Sequence, residues 1–340
     1  MQFELYLVFF FTGAFILTGI IRVYAIKKNV IDIPNERSSH EVPTPRGGGV
    51  SVVITFLCGL ILFESLGYVS LKFTALFFTA GLMVALVGWF DDRGHISARW
   101  RLLVHFCSAS VVVYACNGLP VLFYFGWDFS LGWVGHILSV IALVWILNLY
   151  NFMDGIDGLA GGQAVISTAV IGMIIFSVYE QSVFANLHWL FTACCFGFLF
   201  WNFPSAKIFM GDSGSGFIGV ILGGFLLLSS HVDQSLFWAW LIMLAVFITD
   251  ASYTLIVRFF SRAKIHDAHC NHAYQHASRK LKSHKIVTLS VYIINIVWLA
   301  PIALSVSMYK IDGLFGLIIA VVPMLFFCHF FKAGSAANLT

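Results

Sequence analysis

The chain has 340 residues, of which 60% are hydrophobic and 10% charged, and its formal net charge is +3. Soluble domains carry roughly 25% charged residues, so this composition excludes an ordinary soluble domain and indicates a polytopic membrane protein. No run of Lys and Arg is interleaved with aromatic residues, which leaves nucleic-acid binding unsupported. The seven cysteines form no CxxC pair, which argues against a zinc ribbon or a disulfide framework.

Apolar runs long enough to cross a bilayer as helices recur along the chain. We place eleven of them, at 3–25, 48–66, 71–90, 102–118, 131–150, 160–179, 183–203, 214–230, 236–258, 286–306 and 312–332. The sequence thus predicts an all-α membrane protein with about eleven transmembrane helices, forming one domain over residues 1–340. The segment LPVLFYFGWDFSLGW between the fourth and fifth runs fits either a loop or a re-entrant or interfacial segment.

Lys and Arg determine the predicted orientation, because they concentrate on the cytoplasmic side of membrane proteins. If each run reverses the side, 17 of the 19 Lys and Arg residues lie on one face, and only Lys72 and Lys310 lie on the other. We therefore place the loops at 26–47, 91–101, 151–159, 204–213 and 259–285, with the C-terminus, in the cytoplasm. The N-terminus is then outside.

The first cytoplasmic loop ends in Arg46 followed by three glycines that lead into a span. It is either a solvated connector or a backbone that approaches a phosphate or nucleobase closely.

The second loop opens with Asp91 and Asp92 and continues to Arg93, Arg99 and Arg101. Two carboxylates at an interface could simply be solubilising. Alternatively, a carboxylate handles a proton or an ion while Arg side chains hold phosphate oxygens.

The third loop belongs to the stretch NLYNFMDGIDGLAGG, residues 148–162, which places two carboxylates between long apolar runs. If a helix continues through it, Asn151, Asp154 and Asp157 share one face. The alternative is a turn whose Asp and Gly residues are chosen for left-handed backbone geometry.

In the fourth loop, Asp212 lies among Gly and Ser residues at the entrance to a span. Amides at a helix start can bind an anion, and one carboxylate can hold a metal that bridges to it. A plain helix N-cap is the alternative.

The fifth loop holds five of the twelve histidines, and His266, His269, His272 and His276 would share one helix face. A zinc site, a solvated basic stalk and a phosphate clamp are the competing interpretations, and the many Arg and Lys residues nearby favour the clamp. HEXXH is absent. Asp250, inside the ninth run, indicates either a functional intramembrane group or a structural pairing with a polar neighbour.

These loops bring acids, bases and amides to one membrane face, which suits a phosphorylated substrate held by a divalent metal. Mg²⁺ prefers one or two carboxylates, waters and substrate phosphates, and phosphoryl transfer mainly needs positioning and charge neutralisation. A transporter or channel is the alternative from another class, although transporters usually place ionisable groups near the bilayer midplane.

Four motifs carry a family resemblance: Asp91-Asp92 with SARWRLL, NxxNFMDGIDGLAGG, FMGDSGS and HCNHAYQ. Together with PxPRGGG, they resemble in sequence and order the signatures of the polyprenyl-phosphate N-acetylhexosamine-1-phosphate transferases, glycosyltransferase family 4. The resemblance implies transfer of a sugar-1-phosphate from a UDP-N-acetylhexosamine to undecaprenyl or another polyprenyl phosphate, with release of UMP and with Mg²⁺ or alternatively Mn²⁺. It also implies a multi-pass protein of the bacterial inner membrane.

The resemblance assigns roles by matched position. Asp212 and Asn151 would hold the metal, Asp91 would lie at the lipid phosphate as a base or an orienting group, and Asp157 would face the nucleoside. His269 and His272 would meet the donor diphosphate. The full set of expected catalytic residues is Asp91, Asp92, Asp154, Asp157, His269 and His272, and the expected substrate-binding residues are Arg46, Arg101, Asn148 and Asn202.

The motif HCNHAYQH departs from the triple histidine of the branch that uses UDP-N-acetylmuramoyl-pentapeptide, so the chain looks closer to the branch that initiates O-antigen or other surface polysaccharides. Cys270 stands where many members of that branch carry Arg. A homodimer is compatible with the sequence but is not specified by it.

Overall fold

The computed structural model of the chain describes residues 2–34, 42–94, 96–124, 127–262 and 270–335. Helices make up most of the described part, which confirms the predicted all-α class. They are α1 Gln2–Lys27, α2 Val50–Ser65, α3 Leu71–Asp91, α4 Ala98–Ala115, α5 Gly132–Phe152, α6 Leu159–Tyr179, α7 Ser182–Asn202, α8 Asp212–Ser230, α9 Ser235–Met243, α10 Ala245–Phe260, α11 Ala273–Leu281, α12 His284–Ile293, α13 Ala300–Ser307 and α14 Gly313–Phe330. A π-helical segment, Ile294–Leu299, joins α12 to α13.

Two short antiparallel pairs of strands interrupt the helices. Strand β1, Ile31–Asp32, pairs with β2, Thr44–Pro45, between α1 and α2. Strands β3, Leu122–Tyr124, and β4, Trp127–Phe129, form a second pair between α4 and α5. The segment that fitted either a loop or a re-entrant segment is therefore an extended strand pair.

Eight helices of the described part are long and apolar enough to cross a membrane. A ninth span results if α9 and α10, which meet at a bend of 67°, are counted as one. All eleven predicted runs fall on helices, but α2 has only 16 residues, and α4 carries Arg99 and Arg101 in its first turn. The multi-pass membrane protein is confirmed, and the count of eleven spans stays a prediction.

Helix α8 is the central helix of the bundle. Of its apolar window, 94% is buried inside the protein, against 17% for α1 and 22% for α14. Its glycines allow neighbouring backbones to come close: a Cβ at Gly219 would lie 2.8 Å from Leu147 Cα on α5, and one at Gly214 would lie 2.6 Å from Gly49 Cα. Larger residues at these positions would push α5 and the start of α2 away.

The N-terminal end of α8 is where the other elements meet. A Cβ at Gly88 on α3 would lie 2.5 Å from the carbonyl group of Asp212, so the end of α3 lies directly against the start of α8. The amides of Gly48 and Gly49 donate to the carbonyls of Phe209 and Met210, each over 2.9 Å. The loops that the sequence placed on one face therefore converge at one end of the bundle.

Candidate active site

Asp212 is the first residue of α8, and its backbone is fixed from another helix. The Asp92 carboxylate at the end of α3 accepts the N–H of Asp212 over 3.1 Å and that of Ser213 over 3.5 Å. A carboxylate at this position satisfies amides that lack a partner within the helix and complements the positive end of the helix dipole. Asp92 thus caps α8 and orients Asp212.

Two Arg–Asp pairs flank the Asp212 carboxylate. Arg46 pairs with Asp92, and Arg101 pairs with Asp91. Arg46 Nη2 also lies 3.8 Å from Asp212 Oδ1, and Arg101 Nη1 lies 3.5 Å from Asp212 Oδ2. The Asp212 side chain is 30% exposed, whereas those of Asp91 and Asp92 are 8% and 2% exposed. We call Asp91, Asp92 and Asp212 the Asp212 cluster, and the carboxylate of Asp212 is the most accessible of the three.

Burial and neighbouring charges have opposite effects on the pKa values of Arg46 and Asp92. Burial raises the pKa of Asp92, although the positive charge of Arg46 and the amides of Asp212 and Ser213 oppose it. Burial lowers the pKa of Arg46, but the charges of Asp92, Asp212 and Asp32 outweigh this effect and leave its pKa above the ordinary value. Arg46 accordingly stays charged beside the cluster.

Asn151 lies at the end of α5, next to Asp212. Its Nδ2 donates to Asp212 Oδ1 over 3.2 Å and to Ser215 Oγ over 2.9 Å. Within the part of the chain that the structure describes, its Oδ1 accepts no hydrogen bond and remains available for a cation. Ser215 is fully buried and was missed by the sequence reasoning, although it follows Asp212 by one helical turn.

The carboxylates of Asp154 and Asp157 lie in a turn, because α5 ends at Phe152 and α6 begins only at Leu159. The hypothesis of one continuous helix through both residues is therefore wrong, and the turn alternative holds. Gly158 has φ +74°, a left-handed conformation that favours glycine. The turn redirects the chain between α5 and α6.

Asp154 is electrostatically part of the cluster. Burial raises the pKa of its carboxyl well above the usual range, and the negative charges of Asp212 and Asp92 act in the same direction. Arg46 opposes them only in part. A cation bound among these carboxylates would favour the ionised form of Asp154.

Asp157 bridges separate segments of the protein. Its Oδ1 lies 3.2 Å from His284 Nδ1, its Oδ2 accepts the N–H of Ala206 over 2.9 Å, and its side chain is 12% exposed. Thr288 donates to the carbonyl of Asp157 and Tyr292 to that of Gly158. The side chains of α12 at 284, 288 and 292 thus hold the turn, and both carboxylate oxygens of Asp157 already have partners.

The two other predicted asparagines lie apart from Asp212. Asn148 is one turn before Asn151 on α5 and donates to the carbonyl of Val144 over 2.7 Å. Asn202 is 2% exposed; its Oδ1 accepts the N–H of Gly158, and its Nδ2 donates to the carbonyl of Ile208, each over 3.0 Å. The structure gives Asn202 the task of joining the end of α7 to the turn, so its expected substrate contact stays a prediction.

The histidine-rich loop is described only in part, because His266 and His269 lie outside the described residues. His272 is 2% exposed, and its Nδ1 lies 3.4 Å from Asp250 Oδ1. The His272 ring packs against the rings of Phe152 and Tyr274. It therefore lies with these residues and Asp250 rather than in the cluster of Asp91, Asp92 and Asp212.

Asp250 anchors the start of α11. Its two oxygens accept the N–H groups of Ala273 and Tyr274 over 2.8 and 3.0 Å, and the hydroxyl of Thr254 donates to it over 3.2 Å. Of the two alternatives for this residue, the structural pairing therefore agrees with the contacts.

Two of the three glycines after Arg46 pack closely against other parts of the protein. A Cβ at Gly48 would meet Phe198 at 2.8 Å, and one at Gly49 would lie 2.4 Å from Gly214 Cα. At Gly47, which has φ +97°, a Cβ would have no atom within 4 Å. Close approach to a ligand is therefore open at Gly47, whereas Gly48 and Gly49 pack against the segment before α8.

We expect Asp92→Asn to destabilise the protein by about 2 kcal/mol, because the buried partner of Arg46 is lost while one oxygen still accepts an α8 amide. Thermal unfolding in detergent should show an apparent melting temperature several degrees lower. Asp32→Asn is the matched control, since Asp32 acts on Arg46 only through its charge. An equal fall in both variants would contradict the capping role of Asp92.

We expect Gly155→Ala to be strongly destabilising, because its Cβ would lie 2.1 Å from Tyr274 Oη. That hydroxyl donates to the carbonyl of Phe152 over 2.9 Å. Tyr274→Phe should itself cost about 1–2 kcal/mol, since the partly buried hydrogen bond to the Phe152 carbonyl is lost. In the double variant the nearest atom is Tyr274 Cζ at 3.1 Å, so the double variant should unfold at a higher temperature than Gly155→Ala alone. Additive losses would contradict this contact.

The residues of the cluster fit a divalent cation that is completed by substrate oxygens. The described residues contain no group of three or more His, Cys, Asp or Glu arranged as a metal cage. Mg²⁺ does not need one, because it commonly takes one or two carboxylates together with waters and phosphates. The partly exposed Asp212 carboxylate and Asn151 Oδ1 supply such ligands, and the neighbouring Asp154 adds negative charge.

Comparisons with known proteins agree with the motifs. The family model described as glycosyl transferase family 4 matches residues 74–230. A probable undecaprenyl-phosphate N-acetylglucosaminyl 1-phosphate transferase of Bacillus subtilis is 32% identical over 290 residues, covering 83% of this chain and 79% of that protein. A decaprenyl-phosphate N-acetylglucosaminephosphotransferase of Mycolicibacterium smegmatis is 34% identical over 232 residues, covering 61% and 55%.

A third relative extends the match to another group of bacteria. It is the undecaprenyl-phosphate alpha-N-acetylglucosaminyl 1-phosphate transferase of Yersinia pestis, which is 32% identical over 230 residues, covering 64% of this chain and 60% of that protein. With the four motifs and the geometry of the cluster, these matches confirm the resemblance: the chain belongs to glycosyl transferase family 4, the polyprenyl-phosphate N-acetylhexosamine-1-phosphate transferases.

Proposed function

We propose that this protein transfers an N-acetylhexosamine-1-phosphate from its UDP-linked donor to undecaprenyl phosphate, releasing UMP and forming a lipid-diphosphate-linked sugar. The names of the relatives make N-acetylglucosamine the first donor to consider. The proposed product starts the synthesis of O-antigen or another surface polysaccharide. Family membership argues against the transporter alternative.

The observation that carries this proposal is the Asp212 carboxylate held between Arg46 and Arg101, at 3.8 and 3.5 Å. Phosphoryl transfer between a diphosphate and a phosphate monoester brings several negative oxygens together. Positioning and charge neutralisation therefore supply most of the catalysis. Two guanidinium groups on opposite sides of a metal-binding carboxylate suit a donor diphosphate and an acceptor phosphate.

Each residue of the cluster has a distinct part in the proposed reaction. Asp212 and Asn151 would hold Mg²⁺, or Mn²⁺ as the alternative, which when bound neutralises the phosphate oxygens of the donor. Arg46 and Arg101 present planar donors that match phosphate oxygens. Asp91 orients Arg101. The acceptor is a phosphate monoester, whose second pKa is near 6, so it is already largely dianionic at neutral pH. It therefore needs little help from a base.

The acceptor's isoprenoid chain requires an apolar path to the cluster. A groove of about 310 Å³ lies between α5 and α10 and is lined by Trp145, Ser252, Leu255, Ile256, Phe259 and Phe260. Its α5 wall belongs to the helix that carries Asn151 in its last turn and leads into the turn with Asp154. We assign the isoprenoid chain to this groove, because a long apolar ligand can enter it from the bilayer.

The proposed membrane topology follows from the distribution of Lys and Arg. The loops that meet at the N-terminal end of α8 carry most of the positive charges, so this end lies in the cytoplasm, where UDP-sugars are made. The protein is then a multi-pass protein of the bacterial inner membrane with its N-terminus outside. Dimerisation stays a prediction, and the proposed reaction uses the residues of one protomer.

A donor panel tests the proposal. Purified protein with undecaprenyl phosphate and Mg²⁺ should release UMP with one or more UDP-N-acetylhexosamines, and UDP-N-acetylglucosamine is expected to be the best. Omitting the lipid phosphate or chelating the metal should abolish release. No UMP from any donor, in a preparation that melts cooperatively, would contradict the proposed function.

A further inference from the structure

A cavity of about 520 Å³ adjoins the active site, because Arg46 and Asp92 form part of its lining. We call it the α1–α3 chamber, because its walls come from the end of α1, the end of α3 and strand β1. The residues that matter for its chemistry are Tyr24, Lys28, Asp32, Arg46, Asp92 and Arg93. We propose that this chamber binds a phosphate-bearing anion, either the headgroup of an anionic membrane lipid or a free phosphate.

The charge of the chamber favours an anion. Three cations line it, against the carboxylates of Asp32 and Asp92. The Asp92 carboxylate already forms an ion pair with Arg46 and accepts hydrogen bonds from the amides at the start of α8. Lys28 and Arg93 are exposed, and among the described residues that line the chamber Asp32 is the remaining carboxylate that offsets them. The described lining therefore offers positive charge to an incoming anion.

Arg93 is held in place for such contacts. Its guanidinium lies 3.6 Å from the centre of the Trp89 ring, and its Nη2 donates to the hydroxyl of Tyr24 over 3.3 Å. Cation–π stacking limits the conformations of the side chain. Arg93 therefore loses less conformational freedom on binding a phosphate than a freely rotating arginine would.

The position of the chamber suits a lipid headgroup. It lies at the ends of two membrane-spanning helices, where Tyr24 and Phe90 are 43% and 58% exposed. Basic side chains at such a boundary attract anionic lipids. The chamber shares the Arg46–Asp92 wall with the active site, so an anion bound there would lie beside the pair that orients Asp212.

Thermal unfolding of the full-length protein in neutral detergent tests this proposal, because a ligand that binds only the folded state raises its apparent melting temperature. In one arm phosphatidylglycerol is compared with phosphatidylcholine. In the other, sodium phosphate is compared with sodium chloride at equal ionic strength. We expect a rise of several degrees in at least one arm, and the arm that responds identifies the source of the phosphate.

Matched double variants show whether the chamber is responsible. The variant with Lys28→Gln and Arg93→Gln should lose most of the rise. The variant with Lys27→Gln and Arg99→Gln removes one Lys and one Arg from exposed positions outside the chamber, and it should keep the rise. If the first double variant folds poorly, Lys28→Gln alone should still halve the rise in apparent melting temperature.

Two outcomes would overturn the proposal. Equal responses of the wild type and both double variants would show that the chamber is not the binding site. An equal loss in both double variants would show that the anion follows the general positive charge of this end of the bundle.

Discussion

Replacing Asp212 by Asn should lower turnover by about a thousand-fold or more, which corresponds to about 4 kcal/mol of transition-state stabilisation. The Asp212 carboxylate lies within 3.8 Å of Arg46 and 3.5 Å of Arg101 and is the expected metal ligand. An amide binds Mg²⁺ far more weakly. The fold should persist, because Asp92 caps α8 through the backbone of Asp212 rather than its side chain. UMP release measured beside thermal unfolding gives both readouts.

Asp312→Asn is the control for this prediction. Asp312 also stands at the start of a helix, where its side chain caps α14, but that helix start is at the other end of the bundle. Asn is a good N-cap, so this variant should retain both activity and stability. Normal turnover of Asp212→Asn would remove Asp212 from the metal site.

Replacing Arg101 by Lys should lower turnover by about a hundred-fold, or about 3 kcal/mol. Arg101 pairs with Asp91 and lies 3.5 Å from Asp212, and a guanidinium can hold a carboxylate and a phosphate at once, which a compact ammonium cannot. Because Arg101 pairs with Asp91, which the family resemblance places at the lipid phosphate, the KM for undecaprenyl phosphate should rise more than that for the UDP-sugar. Steady-state kinetics with each substrate varied in turn measures this difference.

Arg99→Lys is the matched control, since Arg99 lies two residues earlier on the same helix and is exposed. Its turnover should stay within about twofold of the wild type, as is usual for surface substitutions. Equal losses at 99 and 101 would indicate a general effect of arginine in α4. A loss of turnover in Arg101→Lys with both KM values unchanged would place Arg101 away from the acceptor.

The helices were predictable because membrane spanning imposes a length. Every backbone group in hydrocarbon must be satisfied within the helix, so each span needs a long apolar run that the sequence displays directly. The bend between α9 and α10 was not predictable in this way. No proline marks it, and Leu244 is as apolar as its neighbours, so the run at 236–258 looked like one span.

The convergence of Asp91, Asp92 and Asp212 followed from topology alone, because their loops were placed on one face. The topology did not show which partner each of these carboxylates binds. Asp91 and Asp92 are adjacent in sequence, but one pairs with Arg101 while the other turns towards the α8 amides and Arg46. Which way each side chain points depends on the helix packing, which the sequence does not display.

Some residues with structural tasks carried a signal that could have been detected. His284, Thr288 and Tyr292 recur every four residues at the start of an otherwise apolar run, which places three polar groups on one helix face. That face holds the turn of Asp157 and Gly158. Asp250 was noted in the sequence, but its partners carried no comparable signal, because they are backbone amides of α11, 23 and 24 residues later in the chain.

The central claim is that a phosphoryl group moves together with the sugar, and an isotope label on the donor tests it most directly. With UDP-N-acetylglucosamine labelled in the β-phosphate, the label should appear in the undecaprenyl product, and the released nucleotide should be unlabelled UMP. If the label remains in the nucleotide while the sugar reaches the lipid, the bond broken is the one between sugar and phosphate. That result would contradict the assignment of the Asp212 cluster to phosphoryl transfer.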